Sequence, residues 1–130
     1  MTAADQAIET DLRAPYLVRI DFLLELARRL HIYGTTAQRL ESAVGQVGRR
    51  LGVATDLWSN PTGMLISFDD NERGAPHKIT HIIRLEPGDT NLGRLAAADA
   101  IAEDVMAGRR DIVEGLRDMR ALDRRPRRFA

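Results

Sequence analysis

The chain contains no cysteine. That excludes a disulfide scaffold, a Cys-rich zinc site and a cysteine nucleophile. Net charge is missing too: nineteen basic residues balance nineteen acidic ones. No global field therefore draws nucleic acid or anionic lipid, and no nucleic-acid partner is expected. Lysine occurs once, as Lys78, against eighteen arginines, which reads as genome composition before function. The longest unbroken apolar run is Leu95 to Ala98, whereas a membrane-spanning helix needs about 20 predominantly apolar residues. The start, MTAADQAIETDLRAP, is polar and acidic and lacks the basic start and apolar block of a signal peptide. The chain as given is expected to fold in the cytoplasm. Gly-rich phosphate loops, H-E-x-x-H and G-x-S-x-G are all absent. The three serines, Ser42, Ser59 and Ser67, carry no local nucleophile signature. No cofactor, metal or catalytic residue is expected.

What is present fits one soluble domain. A length of 130 residues with 44% apolar and 29% charged residues is ordinary for a single core. Residues 1–14 show no apolar period and read as a flexible arm. From Tyr16 to Tyr33, apolar side chains recur at three- and four-residue steps, the spacing that lines a helix face. Gly34 supplies a left-handed stop. Thr35-x-x-Gln38 then fits a capping box that opens a second helix to about Leu51. Its seam is Ala37, Leu40, Val44, Val47 and Leu51. Gly45 and Gly48 lie inside it and imply close approach of another element.

After Gly52 the period changes to two. Val53–Trp58, Met64–Phe68 and His77–Leu85 read as strands. Asn60-Pro61-Thr62-Gly63 is a turn, with proline presetting one dihedral and glycine freeing another. The polar stretch 69–76 is a loop. Asn91 to about Ala107 and Asp111 to about Asp123 read as two further helices. The expected fold is α+β in the order α-α-β-β-β-α-α: a helical hairpin, a three-stranded antiparallel meander and two C-terminal helices. The domain is expected over 15–123, followed by a basic tail over 124–130.

Most candidate chemistry has a plain structural alternative. His77 and His81 share a strand face about 13 Å apart, too far to ligate one metal. Asp99 and Glu103, one turn apart with Asp104 beside them, read as a solvated acidic face. His31 reads as an ordinary helix residue. Trp58, the single tryptophan, is expected in the core, its other reading being a lid beside the Asn60–Gly63 turn. Arg124, Arg125, Arg127 and Arg128 form a local basic cluster.

The order of these signals resembles the N-terminal cytosolic domain of the threonine/serine exporter family. The stretches that carry it are Phe22–Val53, Asp56–Phe68, His81–Val105 and the closing RRPRRF. Within them stand a Tyr33-Gly34 step, a polar helix start with Arg39 and Glu41, the Pro61-Thr62-Gly63 turn, Arg84 at a strand end, and Leu92-Gly93-x-Leu95. The resemblance implies a transmembrane half, in the same or a separate chain, and export of threonine and serine. It places the domain at the inner face of the plasma membrane in a regulatory or gating role. The four tail arginines then become the cytoplasmic flank of a membrane span. A hydrolase-like enzyme using Arg39, Glu41 and the Asn60–Gly63 turn is one alternative. A freestanding module that forms a homo-oligomer through the Gly45/Gly48 helix face is another. A site for L-threonine or L-serine is expected where the second helix starts beside the turn. There Arg39 would take the carboxylate and Glu41 the ammonium, with Asn60, Thr62 and Gly63 completing a polar shell.

Overall fold

The computed structural model describes residues 15–70, 78–86 and 88–124. The expected arm over 1–14, the loop residues 71–76, His77, Arg125, Arg127 and Arg128 lie outside the described residues. In chain order the elements are α1 (Tyr16–Ile32), α2 (Ala37–Arg50), β1 (Val53–Asn60), β2 (Gly63–Asp70), β3 (Ile79–Arg84), α3 (Leu92–Met106) and α4 (Ile112–Ala121). A short 3-10 turn, Leu122–Arg124, follows α4. This is the expected α+β order.

The helical hairpin bends at Gly34, whose φ is +95°. Gly34 N–H donates to the His31 carbonyl and Thr35 N–H to that of Leu30, closing the orphan carbonyls of α1. That closure absorbs Thr35, so the cap moves one residue along. Thr36, not Thr35, caps α2, accepting from the Arg39 N–H at 3.4 Å, and the expected Thr35–Gln38 box is corrected accordingly. Arg19, 4% exposed, reaches across the hairpin and donates to the Leu51 carbonyl at 2.8 Å, just past the end of α2.

The sheet is an antiparallel meander in the order β1-β2-β3. Its inner face carries Val53, Met64, Ile66 and Phe68 into one core with α1, the Leu40/Val44/Val47 seam of α2, and Ala98, Ile101 and Val105 of α3. Gly48 lets α2 lie against β1: a Cβ there would sit 2.5 Å from Thr55 Oγ1 and 3.0 Å from the Val53 carbonyl. Gly45 faces no such contact. The helix face expected to dimerise through these glycines is thus used, at Gly48, inside the chain itself. Trp58 is not in the core. It lies on the outer sheet face and is 62% exposed, because alternation along β1 turns even positions outward.

Two polar ties hold the periphery. The Arg50 Nε–H donates to the Met106 carbonyl at 3.0 Å, joining the C-terminal ends of α2 and α3. Arg110 bridges Asp104 (3.0 Å) and Asp118 (2.8 Å) across the α3–α4 turn.

Candidate functional site

The β1–β2 connection is a two-residue turn, Pro61-Thr62, with Asn60 paired to Gly63. Asn60 Oδ1 accepts from the Thr62 N–H (2.9 Å) and from the Thr62 hydroxyl (3.1 Å). The polar groups nominated for a ligand shell are therefore engaged within the turn. Gly63 has a different reason from the one expected. Its φ is not positive; instead a Cβ would come within 2.5 Å of the Ile83 carbonyl of β3.

The turn does meet the start of α2. His31 Nε2 contacts the Asn60 carbonyl at 2.6 Å, and a groove of about 430 Å³ runs between His31, Thr35, Thr36, Ser59, Asn60 and Pro61. With Nε2 donating to a carbonyl, His31 carries its acceptor at Nδ1, which is buried without a partner among the described residues. Neither Arg39 nor Glu41 lines this groove. Asn60, Thr62 and Gly63 also border a shallow cleft on the outer sheet face with Trp58 and Arg84.

Arg39 stands elsewhere, in a groove of about 410 Å³ between α2 and α3. Gln38, Ser42 and Gln46 line it from α2, Asp99 and Glu103 from α3, over an apolar floor of Leu26, Val47, Ala102 and Met106. The Arg50–Met106 bond fixes the helix separation at one end. Glu41 is exposed and does not line the groove. Two residues along a helix turn the side chain by about 200°, so Arg39 and Glu41 cannot share one face.

Arg39, Asp99 and Glu103 present one cation and two anions to the same space. Among the described residues none of the three side chains is held in an ion pair with another. Burial pushes the Asp99 carboxyl above the ordinary carboxylate range, the Arg39 charge pulls against it, and Glu103 adds to the rise. A cation and a carboxylate facing each other across a gap, with an apolar floor, suit a small zwitterion. In the sequence Asp99 and Glu103 stand as a pair, with nothing local that links them to Arg39. The signal available was the apolar interleaving of Ala98, Ala102 and Met106, which turns one edge of α3 toward its neighbour.

Among the remaining expected motif residues, Tyr33 is buried at the hairpin bend beside Gly34. Arg84 ends β3, and Gly93 opens α3, whose cap is Asn91. Arg124 closes the 3-10 turn. No helix among the described residues is long and apolar enough to cross a membrane.

Comparison with known proteins gives one family. The family model described as "Putative threonine/serine exporter" matches residues 21–130. An uncharacterized protein of Schizosaccharomyces pombe is 28% identical over 116 residues, 89% of this chain and 15% of that protein. The chain thus spans about 15% of the length of this curated relative. No solved structure matches.

Proposed function

The chain belongs to the threonine/serine exporter family, and on that premise we propose that it is the cytosolic regulatory portion of such an exporter. In this reading it senses L-threonine or L-serine at the inner face of the plasma membrane and biases efflux through a transmembrane half. The observation that carries the reading is the α2–α3 groove, where Arg39 faces Asp99 and Glu103 without an ion pair. Arg39 takes the amino-acid carboxylate, Asp99 with Glu103 takes the ammonium, and Gln38, Ser42 and Gln46 are within the groove for a side-chain hydroxyl. Two facing helices also give the site leverage: a ligand bridging α2 and α3 favours one spacing of the pair, and a membrane half attached to it responds to that bias. The basic sequence Arg124, Arg125, Arg127 and Arg128 suits the cytoplasmic flank of a membrane span.

The test is calorimetric titration of the chain with L-threonine, L-serine and L-alanine, paired with efflux measured in cells carrying the full exporter. Saturable binding of the hydroxylated amino acids, lost in Arg39→Ala with the fold intact, supports the reading. So does efflux that loses its dependence on internal threonine in the same variant. Efflux unchanged by Arg39→Ala, with no heat of binding in the wild type, rejects it.

A further inference from the structure

We infer that the outer face of the sheet is a homodimer interface centred on Leu65. The cross-strand register sets Trp58 opposite Leu65 and Leu65 opposite Ile82. One apolar row therefore runs straight across all three strands. Its members are 62%, 39% and 80% exposed, and together they form a contiguous apolar stripe open to a partner. The helices cover the opposite face, and none of the described residues covers this one.

The polar rows on either side identify the occupant. Asp56 on β1 and Thr80 on β3 flank the apolar row on one side, joined through Ser67, whose hydroxyl meets that of Thr80 at 2.8 Å. Asn60 and Arg84 flank it on the other. Lys78, also exposed, extends the β3 margin. The β3 margin is thus basic and the β1 margin acidic. A two-fold axis parallel to the strands and passing over Leu65 lays β1 of one copy on β3 of its partner. Trp58 then covers the partner's Ile82, and Leu65 meets its own copy. Asp56 comes opposite the partner's Thr80 with the partner's Lys78 diagonal to it, and Asn60 opposite the partner's Arg84. Every pairing off the axis occurs twice, as an isologous contact requires. A face with opposite charges on its two margins is its own complement. Asp69, on the β2 row over which the axis runs, comes near its own copy with Lys78 of each protomer at its flanks. An anionic lipid surface would instead leave Asp56 opposed.

Size sets the strength. Three strands about 4.8 Å apart, two of them eight residues long and the third six, make a patch of at most roughly 14 by 26 Å. That falls below the roughly 800 Å² per partner of a standard interface, so the dimer forms with rising concentration and is not obligate.

Sedimentation velocity from low micromolar to about 1 mM protein tests this. A monomer–dimer transition is expected, with the emission of Trp58 moving to shorter wavelength as dimer forms. Ile82→Ser keeps this reporter and should weaken association about tenfold or more. Asp56→Lys should weaken it as well, and adding Lys78→Asp to that variant should restore it. Far-UV circular dichroism of each variant separates lost association from lost fold, and the charge-swapped double variant serves where a single one fails to fold. A wild type that stays monomeric throughout overturns the inference. So does Ile82→Ser dimerising with wild-type affinity, or a shift of Trp58 emission only on anionic vesicles with the protein still monomeric.

Discussion

Tyr33 donates its hydroxyl proton to Asp123 at 2.6 Å, across 90 residues of sequence. The same carboxylate takes Arg29, which also holds Glu25 at 3.1 Å. The bend of the helical hairpin is thereby tied to the turn that ends α4, the place from which the basic sequence continues. Tyr33→Phe removes one hydrogen bond to a charged group whose carboxylate is partly exposed. The expected loss is about 1–2 kcal/mol, below the upper range for such bonds because solvent screens the pair. Urea unfolding of the two proteins, compared by midpoint at constant m, measures it.

The same tyrosine gives an alkaline signature. Burial raises the Tyr33 hydroxyl above its ordinary 10.0, the charges of Arg29 and Arg94 pull it down, and Glu25 raises it. A group whose folded pKa lies above its unfolded value contributes stability that is complete below the unfolded value. That contribution is lost as pH rises through the folded one. Wild-type stability relative to Tyr33→Phe should therefore be constant below about pH 10 and shrink above it. Thermal melts of both proteins from neutral to strongly alkaline pH provide the comparison; a constant difference across that range would contradict the prediction.

Two glycines three residues apart in α2 should respond in opposite directions. At Gly45 a Cβ meets only Arg49 Nη1, at 3.8 Å, so Gly45→Ala gains helix propensity and stabilises by about 0.5–1 kcal/mol. At Gly48 the Cβ meets Thr55 Oγ1 at 2.5 Å and the Val53 carbonyl at 3.0 Å. A backbone carbonyl cannot swing aside, so α2 must move off β1. Gly48→Ala should lose about 1–3 kcal/mol despite the same propensity gain. Equilibrium unfolding of both variants decides it; two changes of the same sign would mean that α2 does not pack on β1 as described.

Much of this architecture was legible because local signals agreed with each other. The period of α2 and its glycine stop, and the alternation of β2 around the Pro61 turn, each point to one element type. What failed were readings that needed a neighbour. Thr35 looks like a cap until Gly34 and Thr35 are seen to close α1 first. Trp58 looks like core because it is large and apolar, yet strand parity turns it outward. Gly63 looks like a turn glycine, yet its reason is the Ile83 carbonyl of a strand twenty residues on. The groove was half legible. Arg39 stands out in the sequence, but its facing carboxylates come from α3, and only tertiary packing brings Asp99 and Glu103 to the same space.

Asp99 supplies the sharpest test of that groove, because stability and binding should part company there. Its carboxyl is held above the ordinary 3.8, chiefly by burial, with Arg39 opposing and Glu103 reinforcing. A raised folded pKa means a stability contribution present below about pH 3.8 and lost as pH rises through the folded value. At neutral pH the ionised Asp99 is therefore a net cost to the empty protein. Asp99→Asn removes the charge and keeps the shape, so the unliganded variant should melt slightly higher than wild type at pH 7. The advantage should vanish as the pH falls toward 3.8, where the wild-type carboxyl is also neutral. Binding should move the other way. If Asp99 accepts from the ammonium group of L-threonine, its replacement costs about 1.5–3 kcal/mol, roughly a tenfold to hundredfold weaker Kd. Sites held in unfavourable electrostatics for the sake of a ligand behave in this way. Differential scanning fluorimetry with and without L-threonine, at pH 7 and at pH 4, reads both effects in one experiment. A variant that is less stable when empty and binds as well as wild type would make Asp99 a structural residue and remove the ammonium end of the site.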